Sequence, residues 1–107
     1  MRARDERVAN FVKELGAVFL ERESNLDSLI TVTSASVSHD LKNATIFISV
    51  LPEAGEKEAL QFAKRKRTEL REYLKKNMQV KNVPFVDIKI DEGEKRRQKI
   101  DELLRGK

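Results

Sequence analysis

The sequence predicts an α+β fold in which helices lie on one face of a three-stranded sheet. Three observations predict it. Apolar residues recur at helical spacing over the first two dozen positions and again after residue 56. Three segments between and after them are rich in β-branched residues or alternate apolar with polar ones. A short polar turn joins the first two of those segments, which makes them an antiparallel hairpin.

From Ala3 to about Glu23 the residues Val8, Phe11, Val12, Leu15, Val18 and Phe19 form one stripe, with Arg7, Lys13, Glu14 and Glu21 on the other side. Only Gly16 argues against a long amphipathic helix, and one glycine costs about 1 kcal/mol. Ser24, Asn25, Asp27 and Ser28 break the pattern as a polar loop. Leu29 to Ser38 carries Ile30, Thr31, Val32, Thr33 and Val37, which favours a strand. His39 to Asn43 reads as a five-residue turn, because Asp and Asn bond to nearby backbone and tolerate unusual dihedrals. A second strand runs from Ala44 to Leu51. It has Ala44, Ile46, Ile48 and Val50 on one face and Thr45, Phe47, Ser49 and Leu51 on the other.

Pro52 to Gly55 ends that strand. Glu56, Lys57 and Glu58 then lead into Ala59, Leu60, Phe62, Ala63, Leu70, Tyr73 and Leu74, again at helical spacing. Lys64 to Thr68 interrupts this stripe for more than one turn. Acidic residues at the start and Lys75 and Lys76 near the end both complement the helix dipole, and Asn77 closes the helix. Residues 84–91 alternate, which predicts a third strand with Pro84 at its first position, where no ladder bond is lost. The second and third strands are joined through a helix, so a parallel pairing with a right-handed crossover is the expectation. After Glu92-Gly93, Ile100, Leu103 and Leu104 sit at i, i+3, i+4 in a charged segment and predict a short terminal helix. A length of 107 residues leaves room for one core. One domain over 1–107 is expected, with its core at about 3–91 and a charged C-terminal helix over 92–107.

Composition excludes more than it specifies. There is no cysteine, so no disulfide or thiolate metal site is expected, which suits a reducing cytoplasm. The apolar runs are far too short to span a bilayer. Met1 to Arg7 is basic with no apolar stretch after it, so no secretory signal is expected. The single histidine, His39, lies in the hairpin turn between Ser38 and Asp40 and reads as a solvated turn residue. The four glycines are too dispersed for a phosphate-cradling loop. Asp87 and Asp91 share a strand face with Lys89, which reads as a solvated face; a calcium loop would need a tighter cluster. No catalytic residue, cofactor or metal is expected.

The feature that carries function is a basic run. Lys64, Arg65, Lys66, Arg67, Arg71, Lys75 and Lys76 fall within one helical region, with Lys81 shortly after. On a helix, Lys64, Arg67, Arg71 and Lys75 lie close to one line, and only Glu69 and Glu72 interrupt the positive field. A charge run is most simply a solvated face. Like charges at i,i+4 repel, however, so stability alone would not choose an unpaired ridge. Against the overall balance of +4, phosphate contact is the expected use. Phe11, Phe19, Phe47, Phe62 and Phe85 mostly fall on faces expected to be buried. Contact through backbone and shape is therefore expected over base stacking.

At the hairpin the chain reads Val37-Ser38-His39-Asp40-Leu41-Lys42-Asn43-Ala44-Thr45-Ile46-Phe47-Ile48-Ser49. This resembles the signature of the ribosome-binding factor A family, a Ser-x-Asp-Leu turn before Ala and a strand ending in Ser. Arg7-Val8, Leu70-Arg71 and Val83-Pro84 match that family at its spacing, so the resemblance runs from about Arg7 to Asp91. It implies a type II KH-like fold, a bacterial cytoplasmic location, and a non-enzymatic role. The implied partner is the immature small ribosomal subunit and its rRNA, where the family assists late maturation and supports growth in the cold. Nothing demands more than a monomer. Ordinary KH domains clamp RNA with a Gly-x-x-Gly loop that this sequence lacks, as the family does, so RNA contact would come from basic helix surfaces. The family usually kinks its second helical region at a small-residue Ala-x-Gly; those positions here are Lys66, Arg67 and Thr68. With no glycine there, a shallow or absent kink is expected. A protein–protein adaptor using the same basic helix against an acidic partner is the competing reading.

Overall fold

The computed structural model describes residues 3–23 and 28–106, so the expected polar loop at Ser24, Asn25 and Asp27 lies outside it, as do Met1 and Arg2 of the basic N-terminal tip. Helix α1 spans Ala3–Glu23, strand β1 Leu29–Val37 and strand β2 Asn43–Leu51. A single 3-10 turn at Glu53–Gly55 leads into α2 (Glu56–Arg65), then α3 (Arg67–Asn77), β3 (Phe85–Ile90) and α4 (Glu92–Leu104). The sheet order is β1-β2-β3, with β1 antiparallel to β2 and β2 parallel to β3.

The alternation read from β2 holds: Ala44, Ile46, Ile48 and Val50 are buried under the helices. Helix α1 packs across β1 and β2, while α2 and α3 cover β2 and β3. One apolar cluster joins them, centred on Val12, Leu20, Ile46, Ile48, Leu70, Leu74 and Ile88. The stripe on α1 is rotated from the expected one. Its buried row is Val8, Val12, Gly16 and Leu20 with Phe19 beside it, while Phe11 and Val18 are about half exposed. The four-residue row wins because Gly16 lets α1 approach β2 closely; a Cβ there would lie 2.7 Å from Ile46 Cδ1.

The hairpin turn satisfies its own polar groups. Ser38 Oγ donates to Asp40 Oδ1 (2.6 Å), and the Lys42 N–H donates to the same oxygen (3.0 Å). The Asn43 N–H donates in turn to Ser38 Oγ at 3.1 Å. The left-handed residue is Leu41 (φ 61°), not an Asp or Asn. That conformation costs about 1–2 kcal/mol for a side-chain-bearing residue, and Leu41 offsets it by packing against the core. His39 is exposed and sits 3.1 Å from Asp5 of α1.

The second helical region is divided. Lys66 takes φ −90°, ψ 5° between α2 and α3, so the helices are divided within residues 66–68, where a shallow or absent kink is the expectation without a glycine. Its dihedrals are in the bridge region, open to any L-residue. Lys66 still donates its N–H to Phe62 and Ala63 O and accepts from Leu70 N–H (2.8 Å), so both of its own backbone groups stay bonded at the break. Helix α4 is not laid on the sheet like the others: it has no buried residue, and Ile100, Leu103 and Leu104 are exposed.

Candidate nucleic-acid interface

The eight cations of the basic run do not form one unpaired ridge, and that expectation is corrected by the contacts they make. Three of them reach across the edge of β3. Lys64 Nζ and Arg67 Nη1 both approach Asp87 Oδ1, at 3.7 and 3.2 Å. Burial works against the charged form of Asp87. The Ile88 N–H and the two cations nonetheless hold its carboxyl below the ordinary range. Arg71 donates from Nε to Pro84 O (3.3 Å) and from Nη2 to Val83 O (2.9 Å). Its guanidinium carbon lies 4.1 Å from the centre of the Phe85 ring. Arg71 is thus the strut that fixes the entry to β3, and its charge faces neutral carbonyls and is not cancelled.

Lys66 points elsewhere. It pairs with Glu69 at 3.2 Å and with Glu23 at the end of α1 at 3.5 Å, and Glu69 first, then Glu23, raise the ammonium above its ordinary value. Lys75 pairs with Glu72 one turn back (3.4 Å). Arg65, Lys76 and Lys81 are exposed and have no ion pair among the described residues. Placement of the elements therefore divides the eight cations into a β3-edge group of three, an α1–α3 tie at Lys66, a pair within α3 at Lys75 and three free cations.

Two contributors escaped the sequence reading. Lys42, on the hairpin turn, faces the same groove as Lys81 and Arg71. Phe85, expected in the core, is 63% exposed. A signal for Phe85 was present: it shares parity on β3 with Asp87 and Lys89, opposite Val86, Ile88 and Ile90. The rest of the sheet face away from the helices has Thr31, Ser36, Thr45 and Ser49 exposed or half-buried around a half-buried Phe47, with Leu29 and Leu51 exposed at one end. Among the described residues no three His, Cys, Asp or Glu side chains could hold a metal, and no helix is long and apolar enough to cross a membrane.

A mixed three-stranded sheet, helices on one face, and a second helical region broken before the parallel return strand define the type II KH-like class. The structure superposes on the crystal structure of ribosome-binding factor A from Thermus thermophilus with a TM-score of 0.70 at 18% identity, covering 78% of this chain and 92% of that one. It also matches coordinates of the Thermus thermophilus protein fitted into a cryo-EM map of its complex with the 30S subunit. There the TM-score is 0.62 at 16% identity, over 82% of this chain and 91% of that one. A relative from Coxiella burnetii, a ribosome-binding factor A, is 31% identical over 97% of this chain and 89% of its own. Another from Gemmatimonas aurantiaca is 29% identical over 94% of this chain and 72% of its own. The family model for ribosome-binding factor A matches residues 4–104. The chain belongs to the ribosome-binding factor A family.

Proposed function

We propose that this chain binds the small ribosomal subunit by gripping rRNA phosphates and assists late maturation of small-subunit rRNA without catalysing a reaction. The observation that carries the reading is family membership over residues 4–104. The Thermus thermophilus relative fitted into a 30S complex supplies the partner. The protein would act in the bacterial cytoplasm, as a monomer and as one domain.

The contacts of this chain support a graded surface. Arg65, Lys76 and Lys81 stand ready for phosphate. Lys64 and Arg67 are held by Asp87 in an exposed arrangement. Exposed pairs of that kind are worth at most about 1 kcal/mol. A phosphate therefore displaces Asp87 at small cost, and each neutralised phosphate releases counterions. Lys75, in an equally exposed pair with Glu72, is available on the same terms, whereas Lys66 and Arg71 serve the fold first and lend their charge to the field.

The free cations give the cleanest test, because reversing Arg71 would break the carbonyl contacts that seat β3. In the variant combining Arg65→Glu, Lys76→Glu and Lys81→Glu, co-sedimentation with free small subunits is expected to be lost at physiological salt, with an unchanged melting temperature. Retained association would remove these residues from the interface. An adaptor binding an acidic protein would keep its partner after nuclease treatment, whereas the rRNA reading requires that treatment to release it.

A further inference from the structure

Phe85 differs from every other aromatic residue here. As a residue it is the most exposed of them, at 63%, yet it is held in place. The Arg71 guanidinium covers one face and is itself fixed by the carbonyls of Pro84 and Val83. The Phe85 N–H donates to Lys42 O at 2.9 Å, locking the residue to the hairpin. Burying a phenylalanine contributes roughly 1.5–3 kcal/mol relative to leaving it in water, and Phe85 forgoes most of that.

The groove beside the ring is lined by Lys42, Lys81, Asn82 and Asp40, and Arg67 lines the groove on the α3 side of the ring. Lys42 and Lys81 make no ion pair among the described residues. The acid in the groove, Asp40, stays charged, since the Ser38 hydroxyl, then the Lys42 N–H, hold its carboxyl below the usual range, but those bonds tie its Oδ1 into the turn, and the two lysines outnumber it. Glu72, on the α3 side, is taken by Lys75. What remains is a fixed, solvent-facing ring with cations on both sides. A nucleotide carries the two complementary features, a planar base and a phosphate, in one unit.

We propose that Phe85 is a stacking site for one unpaired nucleobase of single-stranded RNA. The base continues the Arg71–Phe85 stack on the ring's open face, and Lys42 and Lys81 hold the adjoining phosphates. The proposal rests on the rRNA reading and specifies it: the protein grips a flipped or single-stranded nucleotide as well as a charged backbone.

The chain has no tryptophan, so Phe85→Trp is a single reporter at the site. With a short oligoadenylate as probe, Phe85→Ala is expected to bind about 10- to 100-fold more weakly than the unaltered protein. The salt dependence should be unchanged, since no charge is removed. Phe85→Trp should restore binding, with its emission quenched by the oligonucleotide but not by an abasic strand of the same length. Binding to an RNA duplex should be indifferent to Phe85→Ala. Equal affinity of Phe85→Ala for the single strand, equal losses on single strand and duplex, or quenching by the abasic strand would each overturn the stacking site. If the Arg65, Lys76 and Lys81 variant loses the small subunit while Phe85→Ala keeps both subunit and oligoadenylate, the stacking site falls and the rRNA reading stands. If the unaltered protein binds neither, both fall.

Discussion

Asp91 joins three parts of the chain through one carboxylate. Its Oδ2 accepts from the Thr33 hydroxyl at 2.5 Å, its Oδ1 accepts from the Glu94 N–H at 3.0 Å, and its own N–H donates to Ile48 O at 2.8 Å. Thr33 can reach it because the β1–β2 register shifts between Val32 and Ser34, a bulge that leaves Thr33 out of the ladder. The Thr33 bond first, and then the Glu94 N–H at the start of α4, hold the Asp91 carboxyl below its ordinary value. A carboxyl depressed in the folded state stabilises the fold above its unfolded pKa of about 3.9, and that stabilisation is lost as pH falls through the folded value. Asp91→Asn, which keeps a capping oxygen but loses the charge that strengthens both bonds, is therefore expected to destabilise the protein by about 1 kcal/mol at neutral pH. The difference should shrink from its neutral-pH size towards acid pH below the ordinary carboxylate range, as the native carboxylate itself is protonated. Urea melts at the two pH values check this. A constant difference would mean that the charge of Asp91 contributes nothing.

At the scale of elements, the contact of α1 with β2 turns on Gly16. Helix propensity alone favours Ala over Gly by about 1 kcal/mol, so on an isolated helix any larger residue would help. Here a Cβ would meet Ile46 Cδ1 at 2.7 Å, and Ile46 is fully buried, so that methyl can shift only by displacing other core atoms. Gly16→Val is expected to destabilise the fold by about 1–3 kcal/mol through overpacking, read as a lower denaturant midpoint with an unchanged slope. A neutral or stabilising result would show that α1 is free to move away from β2. The division between α2 and α3 carries a parallel lesson. Without a glycine at residues 66–68 a shallow or absent kink is the expectation, but Lys66 divides the helices in the bridge region and keeps its own backbone bonds. The break is held by packing on either side, with Ala59 and Ala63 buried before it and Leu70 and Leu74 after it.

The molecule as a whole is a plate with an extension. Its principal extents are 50 × 33 × 16 Å and its radius of gyration is 14.7 Å, against about 13 Å for a compact chain of this length. Helix α4 buries nothing. It is tied at its first turn by the Asp91 cap and by Lys95 to Glu56 and Glu53, at 3.0 and 3.3 Å. Removing residues 96–107 keeps those ties. It should cost about 1 kcal/mol or less, a shift in melting temperature of no more than roughly 8 °C. A larger loss would place part of the core beyond Asp91.

Element order, the hairpin and the buried face of β2 were determined by the sequence alone, because they follow from periodicity along single segments. The family signature, from Val37 to Ser49, lies in one of those segments. Tertiary structure decided which cations are free. Asp87 captures Lys64 and Arg67 from 20 residues or more away only because α2 and α3 lie along the β3 edge. It also decided that Arg71 seats the strand, and that Phe85 stands in solvent beneath it. Hydrophobic spacing is a local property, legible from neighbours in the chain. Charge pairing and exposure depend on which elements meet, and only the packed sheet and helices settle that.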